Sequence, residues 1–353
     1  MGFYVNGLAQ ISIQAPLRDE WMEHPNDYAQ THVRAIEPGF KEYISPATAL
    51  RMPLIVKRAV VTSVEALRCA EVAQPGAIIS ATGLGDTEGL ERYLQTLSSQ
   101  GEGLLQPTHF MNSPCSLVAV ELAKALGCNA YNNTHLQRGI SFESALLEAQ
   151  MLLKDGAPSV LLSANDEVTS SLFYLYWRLG LWRSHLGSTL GVFKKRHAKG
   201  TFAGEGSVSC LLGVSPQTDM AIEVAAVDIM HQPTSEKFEC RLKSLLDEAG
   251  MSIDEISAIM LGKNGDAVND MVYEVLRKRF FKKIPTVYYK HLCGEYSTAS
   301  AFGWYVAVRM LQNGRIPESV LPTQQPKGPV QSILLVNHSQ SVDYSLVLLR
   351  VQT

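Results

Sequence analysis

The sequence predicts an α/β protein made of two related halves, with strands and helices packed in layers. Three observations carry that expectation. Apolar runs bounded by turn residues alternate with segments of helical period from end to end. Residues 128–164 place a helix between two strand-like runs, which suggests a parallel pair joined by a crossover. Residues 256–351 then show a related alternation, with no short tandem period, so each half is a pseudo-repeat of βαβ type. A chain of 353 residues suffices for two or three domains or one large two-part body. The expected division is 1–213 and 214–353, within one compact body.

Element by element, Phe3 to Ile13 alternates as an opening strand, and Pro53 to Ala70 carries Leu54, Val60, Val61, Val64 and Leu67 at helical spacing. Ala77 to Ala81 is a short buried strand before a Gly-rich turn. Cys128 to Asn133 fits a strand, Ser141 to Lys154 a helix burying Ala145, Leu146, Ala149, Leu152 and Leu153, and Ser159 to Ala164 the next strand. Arg183 to Gly200 fits a linker or excursion. The second half offers strands Ile256 to Leu261, Thr286 to Tyr289, Ser332 to Val336 and Asp343 to Val351, with helices Ala267 to Arg279 and Thr298 to Leu311.

Composition narrows the function. Charged residues make up 18%, below the roughly 25% of soluble domains, which hints at a surface covered by an obligate partner. Lys and Arg total 31 against 34 Asp and Glu, a net charge of −3 that lacks the positive field of a nucleic-acid binder. Six cysteines at 69, 115, 128, 210, 240 and 293 include no CxxC pair, and they fit reduced core thiols better than disulfides or a zinc site. No metal or cofactor is expected. No basic residue precedes Arg18, so no export signal is visible. The uncharged stretch Tyr296 to Val308 has 13 residues, short of the ~18 to 20 a membrane span needs. A cytoplasmic protein without a membrane span is expected.

Gly83-Leu84-Gly85 after a strand invites a dinucleotide site, but Glu88 stands where the third small residue of that motif belongs. A tight strand-to-helix turn explains it better. Lys194, Lys195, Arg196, His197 and Lys199 form one basic run, and Arg277, Lys278, Arg279, Lys282 and Lys283 another. Each is either solvated surface, the second also offsetting a helix C-terminal dipole, or a docking face for an acidic protein.

Leu126-Gly127-Cys128, then Ala145-Leu146, Glu148-Ala149, Asp155-Gly156 and Asn165-Asp166-Glu167, resembles the nucleophile region of β-ketoacyl synthases of the thiolase superfamily. Thr201 to Gly206 is similar to that family's glycine-rich turn, Asp270 with Glu274 to its acidic pair, and Lys290 to Glu295 to the stretch before its second catalytic His. The resemblance spans roughly Arg51 to Val351 and implies a thiolase-like αβαβα stack. It also implies where catalytic groups should stand. The reactive Cys position holds Gly139, the first His position Gly262 and the second Glu295, while Lys290 is kept. A slipped loop would put Gln137 at the nucleophile position instead. Asn337-His338-Ser339-Gln340-Ser341 replaces the family's glycine-rich gate loop.

Condensation needs a thiolate to carry the acyl chain and two imidazoles to donate to the developing enolate, and removal of one such donor costs ~10²- to 10³-fold in rate. Cys115 and Cys293 lack the helix-start position and fit core thiols. The resemblance therefore points to a degenerate subunit like the chain length factors of aryl polyene and type II polyketide systems. Such a subunit pairs with an active ketosynthase and walls off the tunnel for a chain built on an acyl carrier protein. Carried over, it implies tunnel residues Leu105, Phe110, Met111 and Leu136. An interface strand, Ala130 to Thr134, would present Ala130, Asn132 and Thr134 beside Gln137 and Arg138, burying ~2,000 Å² or more. Carrier docking would fall on Lys194, Lys195, Arg196, Arg277 and Lys278. Two alternatives stand beside this. One is a decarboxylase or acyltransferase of altered mechanism using Lys290, His291 or Glu295; the other is a homodimeric scaffold.

Overall fold

The computed structural model describes residues 2–101, 114–195, 197–217 and 221–352. Its strands are β1 (Phe3–Ile11), β2 (Ala77–Ala81), β3 (Tyr131–His135), β4 (Ser159–Asp166), β5 (Gly206–Gly213), β6 (Ala221–His231), β7 (Ala258–Leu261), β8 (Thr286–Tyr288), β9 (Ser332–Ser339) and β10 (Asp343–Gln352). They form one sheet in the order β3-β2-β4-β5-β1-β6-β10-β9-β7-β8. Numbered within each half, both halves run 3-2-4-5-1 from the outer edge inward, so one topology is used twice. The halves join where β1 meets β6 through Phe3↔Val224 and Tyr4↔Glu223.

Two helices fill the space between the halves: α4 (Ser141–Lys154) and α8 (Ala299–Asn313). Twelve of the fifteen α8 residues are buried, as expected of a helix with apolar neighbours on every side. Outside them lie α1 (Leu54–Cys69) and α3 (Leu117–Leu126) on the first half, and α6 (Ser235–Ala249) and α7 (Ala267–Phe280) on the second. The strand period of two sorts side chains between these layers. Ala77, Ile79, Ala81, Ile333 and Leu335 face the central layer, whereas Ile78, Leu334 and Val336 face the outer ones. Burial on both faces explains why these strands read as continuous apolar runs. Two peripheral helices are lightly attached: α2 (Thr87–Gln100) buries only Thr87, and α5 (Ser170–Arg178) buries nothing.

A main-chain crossbeam ties the halves near the single-turn helix Lys290–Cys293. The Glu295 amide donates to Phe202 O at 3.0 Å and the Gly204 amide to Glu295 O at 3.3 Å. A Cβ on Gly204 would collide with the Cys293 carbonyl, so only glycine permits this approach.

Several expectations need correction. The strand placed at 128–133 begins instead at Tyr131, and it is not the neighbour of β4: both lie parallel to β2, which sits between them. Nor is it buried, since Tyr131 and Asn132 are exposed. Its polar residues suit an outermost strand, which needs no second apolar face. Opening strand β1 stops at Ile11 rather than Ile13. Leu152 is only partly buried. Cys69 and Cys240 are exposed and Cys115 half-buried, so three of the six thiols, all free, lie outside the core. Gly83 to Gly85 is a strand-to-helix turn, with Gly85 at φ +74° and Asp86 accepting from the Gly89 amide to cap α2.

Candidate functional site

Gly139 lies in the turn Arg138–Ile140 that leads into α4. Ser141 fixes that entry, its Oγ accepting from the Gln137 amide at 2.8 Å and meeting Thr82 O at 2.9 Å. The position faces the end of β9. A Cβ on Gly139 would stand 2.8 Å from Ser339 Oγ, and Asn337 Nδ2 donates to the Gly139 carbonyl at 3.2 Å.

Asn337 links this turn to Gly262. A Cβ there would lie 2.5 Å from Tyr273 Oη, 2.7 Å from Asn337 Oδ1 and 3.1 Å from Tyr289 Oη. Tyr273 donates to Asn337 Oδ1 at 3.1 Å and accepts from the His338 amide at 3.1 Å. Burial holds both phenols well above their ordinary range, so they stay neutral. On the α4 side, Glu143 Oε1 accepts from Ser345 at 2.9 Å and from Asn337 at 3.3 Å. Burial pushes its carboxyl up as well. A packed polar plug thus occupies the volume beside Gly139 and Gly262.

Glu295 and Lys290 border the same volume. The buried Lys290 Nζ donates to both Glu295 oxygens at 2.7 and 2.9 Å, and Asn264 Nδ2 donates to Oε2 at 2.6 Å. Asp270 and Glu274 support that corner. The first accepts the Asn264 and Gly265 amides at 2.9 and 3.1 Å, and the second bonds Lys263 at 2.9 Å. His291 is wholly buried against Ser319 O at 2.6 Å, and burial pushes it down to about 4. His338 is likewise pushed down to about 4, held between Asn269 O and the Ser341 amide. Burial drives the Cys293 thiol well above its usual range, so it does not ionise near neutrality.

The structure therefore brings Gly139 and Gly262 together through Asn337, with the Glu295–Lys290 pair near enough to act electrostatically on Tyr273, Tyr289 and His338. Sequence reasoning missed Tyr273, Tyr289, Glu143 and Ser345 among the residues that form the plug, and named Asn337 and Ser339 only as replacements in the gate loop. One signal was available, a carboxylate at 143 among the apolar positions of α4.

The remaining candidates lie elsewhere. Ala130, Asn132, Gln137 and Arg138 are exposed and Thr134 half-buried along β3 and its exit. Leu136, 46% exposed, shares a groove of about 930 Å³ with Cys115, Val120, Lys124 and Asn132. Lys194, Lys195 and Lys278 are exposed, whereas Arg277 is half-buried and bonded to Glu274 at 3.0 Å. The stretch expected as a linker, 183–200, is anchored: Arg183 bonds Gly200 O and Gly265 O, and Phe193 packs on Tyr288. Leu105, Phe110, Met111 and Arg196 lie outside the described residues. No group of metal-binding side chains occurs among the described residues, nor any helix long and apolar enough to cross a membrane.

No family model and no curated protein matches the sequence. Solved structures do. The ishigamide ketosynthase/chain length factor superposes with a TM-score of 0.83 at 16% identity, over 100% of this chain and 99% of that one. The AntDE:AntF complex, a type II PKS acyl-carrier protein with its ketosynthase bound to the hexaketide, gives 0.81 at 15%, over 99% of each chain. The ketosynthase ApeO in complex with its chain length factor ApeC, from Xenorhabdus doucetiae, gives 0.74 at 15%, over 99% of this chain and 98% of that one. The fold of this chain is the thiolase-like ketosynthase fold, over its whole length.

Proposed function

We propose that this chain is a non-catalytic, ketosynthase-like chain length factor. It pairs with an active β-ketoacyl synthase and bounds the tunnel in which an acyl or polyene chain grows on an acyl carrier protein, in aryl polyene or type II polyketide assembly. One observation carries the reading: Gly139 and Gly262 stand where the thiol and the first imidazole would be, and the space a side chain would take at Gly262 is bounded by Tyr273 Oη, Asn337 Oδ1 and Tyr289 Oη, that at Gly139 by Ser339. Neutral phenols and a lysine bonded to Glu295 offer no nucleophile ready to carry an acyl chain. The altered-mechanism alternative gains little here, because His291 is wholly buried with its Nε2 on Ser319 O, and Lys290 is paired with Glu295.

Tunnel duty falls to Leu105, Phe110, Met111 and Leu136 and the partner contact to the β3 strand, within one compact body whose two halves divide at 213/214. The names of two structural neighbours pair a ketosynthase with a chain length factor, which supports a partnered chain. Co-expression with a ketosynthase bearing Cys and two His should yield a 1:1 complex, and Phe110→Ala should lengthen its product. Gly139→Cys alone should gain no condensing activity. Condensation or malonyl decarboxylation by the purified chain, or an acyl adduct on it by intact mass, would sink the proposal. A stable homodimer that ignores the ketosynthase would favour the scaffold alternative.

A further inference from the structure

On the outer layer of the second half, α7 leaves Val268, Met271 and Val275 exposed at 68%, 64% and 55%. At 3.6 residues per turn these three, with Lys278 and Arg279, fall within an arc of about 100° and a length of about 16 Å. The face reads apolar, apolar, apolar, cation, cation. The carboxylates of α7 are engaged elsewhere, Asp270 on the 264–265 backbone and Glu274 on Lys263 and Arg277. Arg279 at the end of the stripe pairs with Glu239 of α6 at 3.2 Å, which leaves Lys278 as its unpaired cation among the described residues. The other basic run is brought to the opposite end, because the Ala267 amide donates to Ala198 O at 2.9 Å and the Gly200 amide bonds Asp266. Lys278, Lys282 and Lys283 at one end, and Lys194, Lys195 and Lys199 at the other, form no ion pair among the described residues.

We infer that this face is a docking stripe for an acidic protein that lays an amphipathic helix along α7, its apolar side on Val268, Met271 and Val275 and its carboxylates on the flanking lysines. The inference rests on the carrier-protein reading above and gives that partner its seat. Charge complementarity selects the occupant. A second copy placed here would set like-charged lysines against each other. A bilayer fits less well, since the stripe has no aromatic anchor and the chain carries a net charge of −3.

The test is fluorescence anisotropy of labelled apo acyl carrier protein titrated with the full chain. Met271→Asp with Val275→Asp should weaken binding by ~10-fold or more. Lys278→Glu should weaken it by up to about 5-fold and flatten its salt dependence. Leu175→Asp, an equally exposed change on α5, should leave it unaltered. If the wild type binds no carrier protein, the carrier reading and the stripe fall together. If it binds and the α7 variants bind as tightly, or Leu175→Asp weakens binding equally, the stripe alone is overturned. Sedimentation with phosphatidylglycerol vesicles that is lost in the Met271 variant, with carrier binding intact, would reassign the face to lipid.

Discussion

Strands β3 and β8 hold the same place in the two halves, third in sequence and outermost in the sheet, yet their surroundings differ. In β8 the first two residues are buried, and the outer edge is closed by Thr323, whose amide donates to Thr286 O at 3.0 Å and whose Oγ1 accepts the Thr286 amide at 3.0 Å. In β3 nothing comparable occurs: among the described residues it pairs with β2 alone, and the Thr134 amide is satisfied by the neighbouring Asn133 side chain at 2.8 Å. Tyr131, Asn133 and His135 instead fasten its near face to Glu148 of α4. An uncovered edge invites pairing with another chain, and natural proteins close such edges unless they use them. The difference teaches that, among the described residues, one half closes its own outer edge while the other leaves that edge open.

The most damaging way to test this contrast is Thr134→Pro, which removes an edge-facing donor without taking a bond from β2. On the proposed reading it should weaken pairing with the ketosynthase by ~100-fold or more, about 2.7 kcal/mol. Light scattering of the co-expressed pair would show it, with the unfolding midpoint of the isolated chain nearly unchanged. Equal loss of fold and pairing would mean that the edge is structural.

Two buried groups, one in each half, should also answer acid with opposite signs. Burial, together with the charges of Asp86 and Glu88 and against that of Arg58, raises Glu167 to about 7, and its Oε1 accepts the Glu88 amide at 2.8 Å. A carboxyl raised on folding contributes stability fully below its unfolded value, near 4.5, and loses it as pH rises to about 7. Glu167→Gln should remove that slope, an effect of about 1 to 3 kcal/mol across the window. His338, lowered on folding, does the reverse. Its contribution is complete above about 6.5 and is lost as pH falls towards about 4. Urea unfolding at pH 4.5 and 7 separates the two, and a ring NMR signal of His338 that titrates near 6.5 would contradict its burial.

The smallest effect sharpens the closed side. Thr323→Val removes the hydroxyl that caps the Thr286 amide and should cost about 1 kcal/mol of stability. Pairing with the ketosynthase should stay at the wild-type level, as measured by the same light scattering.

Much of the fold was legible because its signals are local. β2 and α4 end at the residues the apolar runs and helical period indicate, since a short apolar run between turn residues and a 3.6-residue stripe each carry their own limits. β3 was misplaced because Cys128, Asn129 and Ala130 offer no clear period, although Asn132, Asn133 and Thr134 already announce a wet strand. The plug was not legible for a different reason. Tyr273, Tyr289, Asn337 and Glu143 come from four separate segments, and nothing local to any one of them tells that their polar tips meet. What the sequence could offer there was absence, a glycine or an acid where a resemblance asked for sulfur and imidazole.

The Phe202–Gly204–Glu295 crossbeam carries an evolutionary consequence. Because main-chain atoms rather than side chains bind the halves there, residue 295 can exchange one side chain for another while its position in space stays fixed. Substitution at that position can therefore proceed without moving the frame around it.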